Sequence, residues 1–313
     1  MLLVCKAPNE KNERNEIVEN LTRRKTCREL YTIWLFTFSD LKTIVIPTTA
    51  FGIIGALPGT GLNHGGLDQT IRDVLQRTPL VALWVWLVLL PFNIDNQRRP
   101  ASVEEDKLNR PWRPLPSGRV TPNHAMKVML VGHIAAVWYS LVVGGLCQCL
   151  LGILLGWIYN GYGADQSFFG KNCVNALGYV TFSTGAMSVA THGKYPTVRG
   201  IQWFAILAGV IFTTVQVQDL PDIQGDVVRG RRTGPVVMGD TLCRWSIAIL
   251  VPIWTAVALV FWDRLQHIGL CAVFYIVAAA AVSWRVIFLK TEDRVTFFIW
   301  NLWIVSLDIL PLF

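Results

Sequence analysis

Charge is what this sequence has least of. Only 16% of its 313 residues are Asp, Glu, Lys or Arg, whereas a soluble domain carries about 25%. With 52% hydrophobic residues and a mean hydropathy of +0.42, that shortfall argues against an ordinary soluble domain. A Cys-x-x-Cys pair is also missing. The seven cysteines (Cys5, Cys27, Cys147, Cys149, Cys173, Cys243 and Cys271) are odd in number and fall mostly in apolar runs. Buried free thiols are therefore expected, not a disulfide frame or a zinc site. No apolar run precedes Tyr31, so a cleaved secretory signal is not expected. No alternating pattern points to a barrel, and no basic cluster sits on a soluble domain. The pI of about 9.1 then speaks of membrane topology and not of nucleic acid.

What the sequence does have is apolar runs long enough to cross a bilayer core, which takes about 20 helical residues. Nine candidate spans are expected: 31–56, 76–97, 124–145, 146–160, 172–191, 199–220, 241–262, 267–289 and 295–313. The fourth is short and rich in glycine. Helix is the default, because lipid offers no partner to an unpaired backbone group. The expected fold is all-α, a polytopic bundle of about nine transmembrane helices around a central cavity. Residues 1–30 would form a cytoplasmic segment, either an amphipathic helix or, as preferred here, a solvated tail; residues 31–313 would form the catalytic domain. With the N-terminus inside, 22 Lys and Arg fall on the cytoplasmic side and 5 on the other, the asymmetry that the positive-inside rule requires.

Two polar segments interrupt the apolar background, and this topology puts both on one face. The first, 93–118, follows the second span and carries Asn96, Gln97, Glu104, Glu105, Asp106, Asn109, Arg110 and Arg113. Its proline-rich end, 110–118, is expected to be extended and stiff, a lid or a connector. The second, 218–235, follows the sixth span and carries Asp219, Asp222, Asp226, Arg229, Arg231 and Arg232. On a helix, Asp219, Asp222 and Asp226 would stack on one stripe, with Pro221 disturbing the register. Carboxylate oxygens are preferred ligands of Mg²⁺, which commonly joins one or two of them to substrate phosphates, and arginines suit phosphate oxygens. A solvated loop would explain Arg231 and Arg232 but not three helically spaced aspartates. Asp95 and Asp219 lie four spans apart, which suggests a duplicated four-helix unit with its two acidic ends facing one cavity.

Together the segments resemble the UbiA superfamily of intramembrane prenyltransferases. Arg113-Pro-Leu-Pro-Ser-Gly118 matches that family's basic run, and Asp219-x2-Asp222-x3-Asp226 followed by Arg229-Gly matches its second acidic motif. The first acidic motif departs from the pattern: Gln97 and Pro100 stand where two aspartates are expected. The arrangement Asn96-Gln97-x7-Glu105-Asp106-x2-Asn109 instead is similar to a fungal branch that contains membrane terpene cyclases. The resemblance implies Mg²⁺ held by Asp219, Asp222 and Asp226, with Asn96 as a further metal ligand. Gln97, Glu105 and Asp106 would complete the catalytic set facing them, and Asn109, Arg113, Arg229 and Arg232 would bind the diphosphate. The choice among Glu104, Glu105 and Asp106 stays open.

The implied function is a Mg²⁺-dependent cyclase that ionises a prenyl diphosphate, farnesyl diphosphate being preferred. It would fold the cation to a sesquiterpene such as a bergamotene, in the endoplasmic reticulum membrane with the site facing the cytoplasm. The rival is prenyl transfer to an aromatic acceptor, which shares the ionisation step but needs a second pocket and usually a base. A transporter fits the hydropathy, but its acids should lie mid-span and not at helix ends beside arginines.

Overall fold

The structure, a computed structural model, describes residues 10–64, 70–264 and 269–312. It is helical, and among the described residues β-type pairing is limited to isolated bridges, Asn63 with Pro196 and Ser167 with Arg232. The first seven helices are α1 (Glu10–Thr37), α2 (Ile46–Ala56), α3 (Ile71–Gln76), α4 (Thr78–Gln97), α5 (Pro100–Asn109), α6 (Pro122–Val143) and α7 (Leu146–Asn160). The second seven are α8 (Phe168–Ala190), α9 (Val198–Thr214), α10 (Ile223–Arg229), α11 (Gly234–Met238), α12 (Asp240–Phe261), α13 (Leu270–Phe288) and α14 (Asp293–Ile309).

The molecule is an integral membrane protein. Among the described residues six segments are long and apolar enough to cross a bilayer: Thr78–Gln97, Pro122–Val143, Val198–Arg229, Asp240–Phe261, Leu270–Phe288 and Lys290–Leu312. That is fewer than the nine expected, and each of the other three falls short for its own reason. The run 31–56 is broken: α1 ends at Thr37, a 3₁₀ turn (Phe38–Asp40) and a π turn (Leu41–Val45) follow, and α2 begins at Ile46. Pro47 lacks an N–H to give the preceding turn, which accounts for the distortion just before it. Helix α7 has 15 residues, a rise of about 22 Å against a hydrocarbon core of about 30 Å. Helix α8 is long enough but carries Lys171, Asn172 and Asn175. The segment expected as a solvated tail is helical, α1 running unbroken from Glu10 across residue 30, and residues 22–30 of it are exposed; residues 1–9 lie outside the described residues.

Tight helix contacts rest on glycine. A Cβ at Gly52 of α2 would lie 2.4 Å from the Ala186 Cβ of α8, and one at Gly185 would lie 2.0 Å from the Trp84 ring of α4. Small residues let helices approach in this way where lipid removes the usual hydrophobic driving force. Three buried indoles find acceptors, Trp84 donating to Ser140 (2.8 Å), Trp300 to Thr214 (3.1 Å) and Trp303 to Thr255 (3.1 Å), whereas those of Trp203 and Trp262 have none. The outer faces are apolar, as on α6, where Val131, Ile134, Trp138 and Leu141 are exposed. Near the start of α14, Arg244 clamps Asp293 through both guanidinium nitrogens, at 2.8 and 2.7 Å. The cysteines of the described residues are free, Cys149 and Cys243 buried, Cys27 and Cys147 exposed; Cys5 lies outside them.

Candidate functional site

A cavity of about 830 Å³ opens among the helix ends and runs down between α4, α7, α8 and α14. Helix α4 delivers Asn93, Asn96 and Gln97 from its last turn. It stops there because Arg99 precedes a proline and is extended (ψ 139°), after which Pro100 opens α5. On α5, Glu105, Asp106 and Asn109 line the cavity, while Glu104 faces outward and pairs with Lys107 (2.7 Å). Which of the three acids line the cavity is thus decided by the face that α5 presents. Asp95 does not line the cavity; it is held by Arg98 (2.6 Å) and Arg99 (3.2 Å). The duplicated pairing of Asp95 with Asp219 across one cavity is therefore not what the structure has.

The proline-rich run after α5 is not extended. It folds into successive turns, with Ser117 N donating to Arg113 O (3.0 Å) and Arg119 N to Pro114 O (3.0 Å). Leu115 anchors it in a small core with Phe36, Leu90 and Ile94. The turns aim Arg113 at Asp106, whose oxygens accept at 2.9 and 2.7 Å. Burial pushes the Asp106 carboxyl above its ordinary range, with Arg113 opposing. Burial, reinforced by neighbouring Arg110, pushes Arg113 below its own.

The second acidic segment reaches its alignment by a change of helix type. After Thr214 the chain tightens into a 3₁₀ helix, Val215–Asp222, and then resumes α geometry in α10. In a 3₁₀ helix residues three apart eclipse, which puts Asp219 and Asp222 on one face; Asp226 follows one α turn later. All three line the cavity. Asp226 accepts from Thr233 (3.0 Å) and lies 3.5 Å from Arg231. Asp219 is almost fully buried, with one oxygen paired to Lys171 and the other, Oδ2, without a partner.

Cations ring these acids. Arg229 reaches Glu105 (2.9 Å) and Asp165 (3.4 Å), and Arg231 reaches Asp165 (3.0 Å). Arg110, Arg113 and Arg294 line the same mouth. Arg232 does not: it is exposed, and its backbone N–H is tied to Gln166 O (2.9 Å). One residue of register exchanges it for Arg231. Among the described residues no three acids, histidines or cysteines converge closely enough to form a metal cluster. The donor set nevertheless fits a hard cation. Asp219 Oδ2 and Gln97 Oε1 are buried acceptors without partners, and both residues line the cavity with Asn96, Asp222 and Asp226.

Several lining residues lay outside the sequence reading. Lys171 enters from the first turn of α8, and Asp40 from the distorted turn after α1, where it accepts from Asn93 (2.7 Å). In the middle of α8 the Tyr179 hydroxyl on the cavity wall is buried without a hydrogen-bond partner, as is the Asp308 carboxyl of α14. A charged side chain within an apolar run was the available signal for Lys171 and Asp308.

The profile described as the UbiA prenyltransferase family matches residues 45–305. The fumagillin beta-trans-bergamotene synthase of Aspergillus fumigatus is 28% identical over 293 residues, covering 91% of this chain and 92% of its own. A polyprenyl transferase of Hericium erinaceus is 31% identical over 237 residues, covering 72% and 75%. Among solved structures, a UbiA homologue from Archaeoglobus fulgidus bound to GPP and Mg²⁺ shares the fold, with a TM-score of 0.61 at 14% identity. That match covers 90% of this chain and 99% of that one.

Proposed function

The chain belongs to the UbiA prenyltransferase family, an enzyme superfamily of prenyltransferases and terpene cyclases, and we propose that it is a Mg²⁺-dependent terpene cyclase acting on farnesyl diphosphate. It would release a sesquiterpene hydrocarbon of the bergamotene type. The observation that carries the reading is the division of one cavity into a charged mouth and an apolar body. Asp219, Asp222 and Asp226 face Asn96, Gln97, Glu105 and Asp106 at the mouth, beside Lys171, Arg113, Arg229 and Arg231; Val88, Phe92, Leu155 and Phe182 wall the body.

Each part has a task. Asp219, Asp222, Asp226 and Asn96 are the residues that would hold the metal, which when bound supplies Lewis-acid stabilisation of charge leaving on the diphosphate. Arg113, Arg229 and Arg231, with Asn109, grip the diphosphate oxygens and take up the same developing charge. The prenyl chain then lies among apolar side chains that keep water from the allylic cation. Aromatic faces such as Phe92 and Phe182 stabilise a cation by about 0.5–2 kcal/mol each. Loss of a proton from carbon ends the reaction as an alkene.

Two features favour cyclisation over transfer. The first motif lacks the usual aspartates, and its Gln97 is tied to Phe36 O (2.8 Å). The similarity to the Aspergillus synthase extends over nine-tenths of both chains. Transfer of the prenyl group to an aromatic acceptor is the second reading, favoured by the similarity to the Hericium transferase. The basic residues that crowd the mouth would place it at the cytoplasmic face of the endoplasmic reticulum membrane. The test is to incubate membranes with farnesyl diphosphate and Mg²⁺ without acceptor. Volatile hydrocarbon is the expected result; product only when a phenolic acceptor is added would replace cyclase by transferase.

A further inference from the structure

A glycine inside a helix costs roughly 0.8–1.0 kcal/mol relative to alanine, so an interior glycine calls for a physical reason. The helical glycines of this chain mostly supply one. A Cβ at Gly52, Gly185 or Gly209 would lie 2.4, 2.0 or 2.5 Å from Ala186, Trp84 or Trp254. Gly152 and Gly156 of α7 are nearly as confined, their Cβ positions each 3.2 Å from Val88 and Phe92 respectively. Gly178, in the middle of α8, is different. A Cβ there would meet nothing within 4 Å, and the backbone is ordinary helix with no positive φ. Neither close packing nor backbone conformation requires glycine at this position.

Gly178 lies on the cavity wall, with Asn175 and Phe182 of the same helix face lining it above and below. The space around the missing Cβ is therefore the cavity itself. Lys171, which pairs with Asp219 at the charged mouth, precedes Gly178 by seven residues on one helix, an axial distance of about 10 Å. A five-carbon chain whose diphosphate is held at the mouth ends before that level. A fifteen-carbon chain has to pass it.

We infer that Gly178 determines the prenyl chain length this enzyme accepts, its absent side chain leaving the passage through which the second and third isoprene units reach the lower cavity. The inference rests on the proposed prenyl diphosphate substrate and adds the residue that sets the substrate's length. In a hydrophobic pocket one methylene too many changes discrimination by roughly 10–200-fold, so leucine at 178 should suffice to close the passage.

The experiment uses the full chain purified in detergent and three unreactive analogues, dimethylallyl, geranyl and farnesyl thiolodiphosphate, with Mg²⁺. Gly178→Leu should weaken farnesyl binding at least tenfold and leave dimethylallyl binding within about twofold of wild type, with geranyl between them. Gly178→Ala should give the same order of effects at smaller size. It should also raise the unfolding midpoint, since it improves helix propensity and touches nothing. Equal weakening of all three analogues, no weakening of any, or a lowered midpoint in Gly178→Ala would overturn the inference while leaving the substrate class standing. Failure of wild type to bind any of the three would instead overturn the substrate class, and the inference with it.

Discussion

Replacing Lys171 by methionine removes one half of a buried ion pair while keeping a side chain of similar length. Lys171 is 8% exposed and Asp219 2%, so the carboxylate left behind is largely desolvated. Breaking such a pair from one side costs about 3–5 kcal/mol, because the remaining charge stays buried and uncompensated. At roughly 2 °C per kcal/mol for a large chain, the unfolding midpoint in detergent without divalent cations should fall by about 6–10 °C. Removing both charges is a different matter, since a neutral pair of similar shape is often as stable as the ion pair. The double variant Lys171→Met with Asp219→Asn should therefore recover most of the loss. Adding Mg²⁺ should raise the midpoint of the single variant more than that of wild type, because Asp219 then has both oxygens free for the cation. A single variant as stable as wild type, or a double variant whose loss equals the sum of the two singles, would refute the assignment of a mutually dependent buried pair.

Each of Asp219→Ala, Asp222→Ala and Asp226→Ala should abolish turnover with protein still abundant in the membrane; two of the three retaining near wild-type rates would remove the proposed metal site. A reporter fused after Phe313 should read non-cytoplasmic and one inserted near Arg231 cytoplasmic, and two readings on the same side would mean an even number of crossings between them. Burial raises the Asp106 carboxyl, so it takes up a proton earlier as pH falls than an ordinary aspartate and releases Arg113 sooner. The acid limb of activity should accordingly lie above the usual carboxylate range, and in Asp106→Asn the limb of the remaining activity should move to lower pH. An unchanged limb would separate Asp106 from the groups whose ionisation the rate depends on.

Hydropathy made the long helices legible: α4, α6, α12 and α13 lie within a few residues of the expected spans. The polytopic class and the paired polar segments followed from that pattern. What composition could not show was local geometry under tertiary control. The 3₁₀ and π turns around Asp40 answer to Pro47. The spacing of the second motif identified Asp219, Asp222 and Asp226, but the switch between helix types decided how they align, and one residue of loop register put Arg231 inside in place of Arg232. Glu105 and Glu104 are chemically alike and adjacent, so only the orientation of α5 separates them. Lys171 belongs to no local motif; its role comes from a partner 48 residues away.

The contact of Arg229 with Glu105 ties α10 to α5 and so links the two polar segments. On the proposed function, a diphosphate that takes Arg229 would exchange one anion for another. The exchange would cut both ways. It would make entry less favourable for weakly charged molecules, since a polyanion with its cation would have to outbid a resident carboxylate. It would also leave Glu105 beside the departing pyrophosphate, ready to reclaim the guanidinium. In enzymes where leaving groups are slow to depart, release often sets the turnover rate. A carboxylate that competes for the product's own anchor would hasten the clearing of the mouth, at the expense of some affinity on the way in.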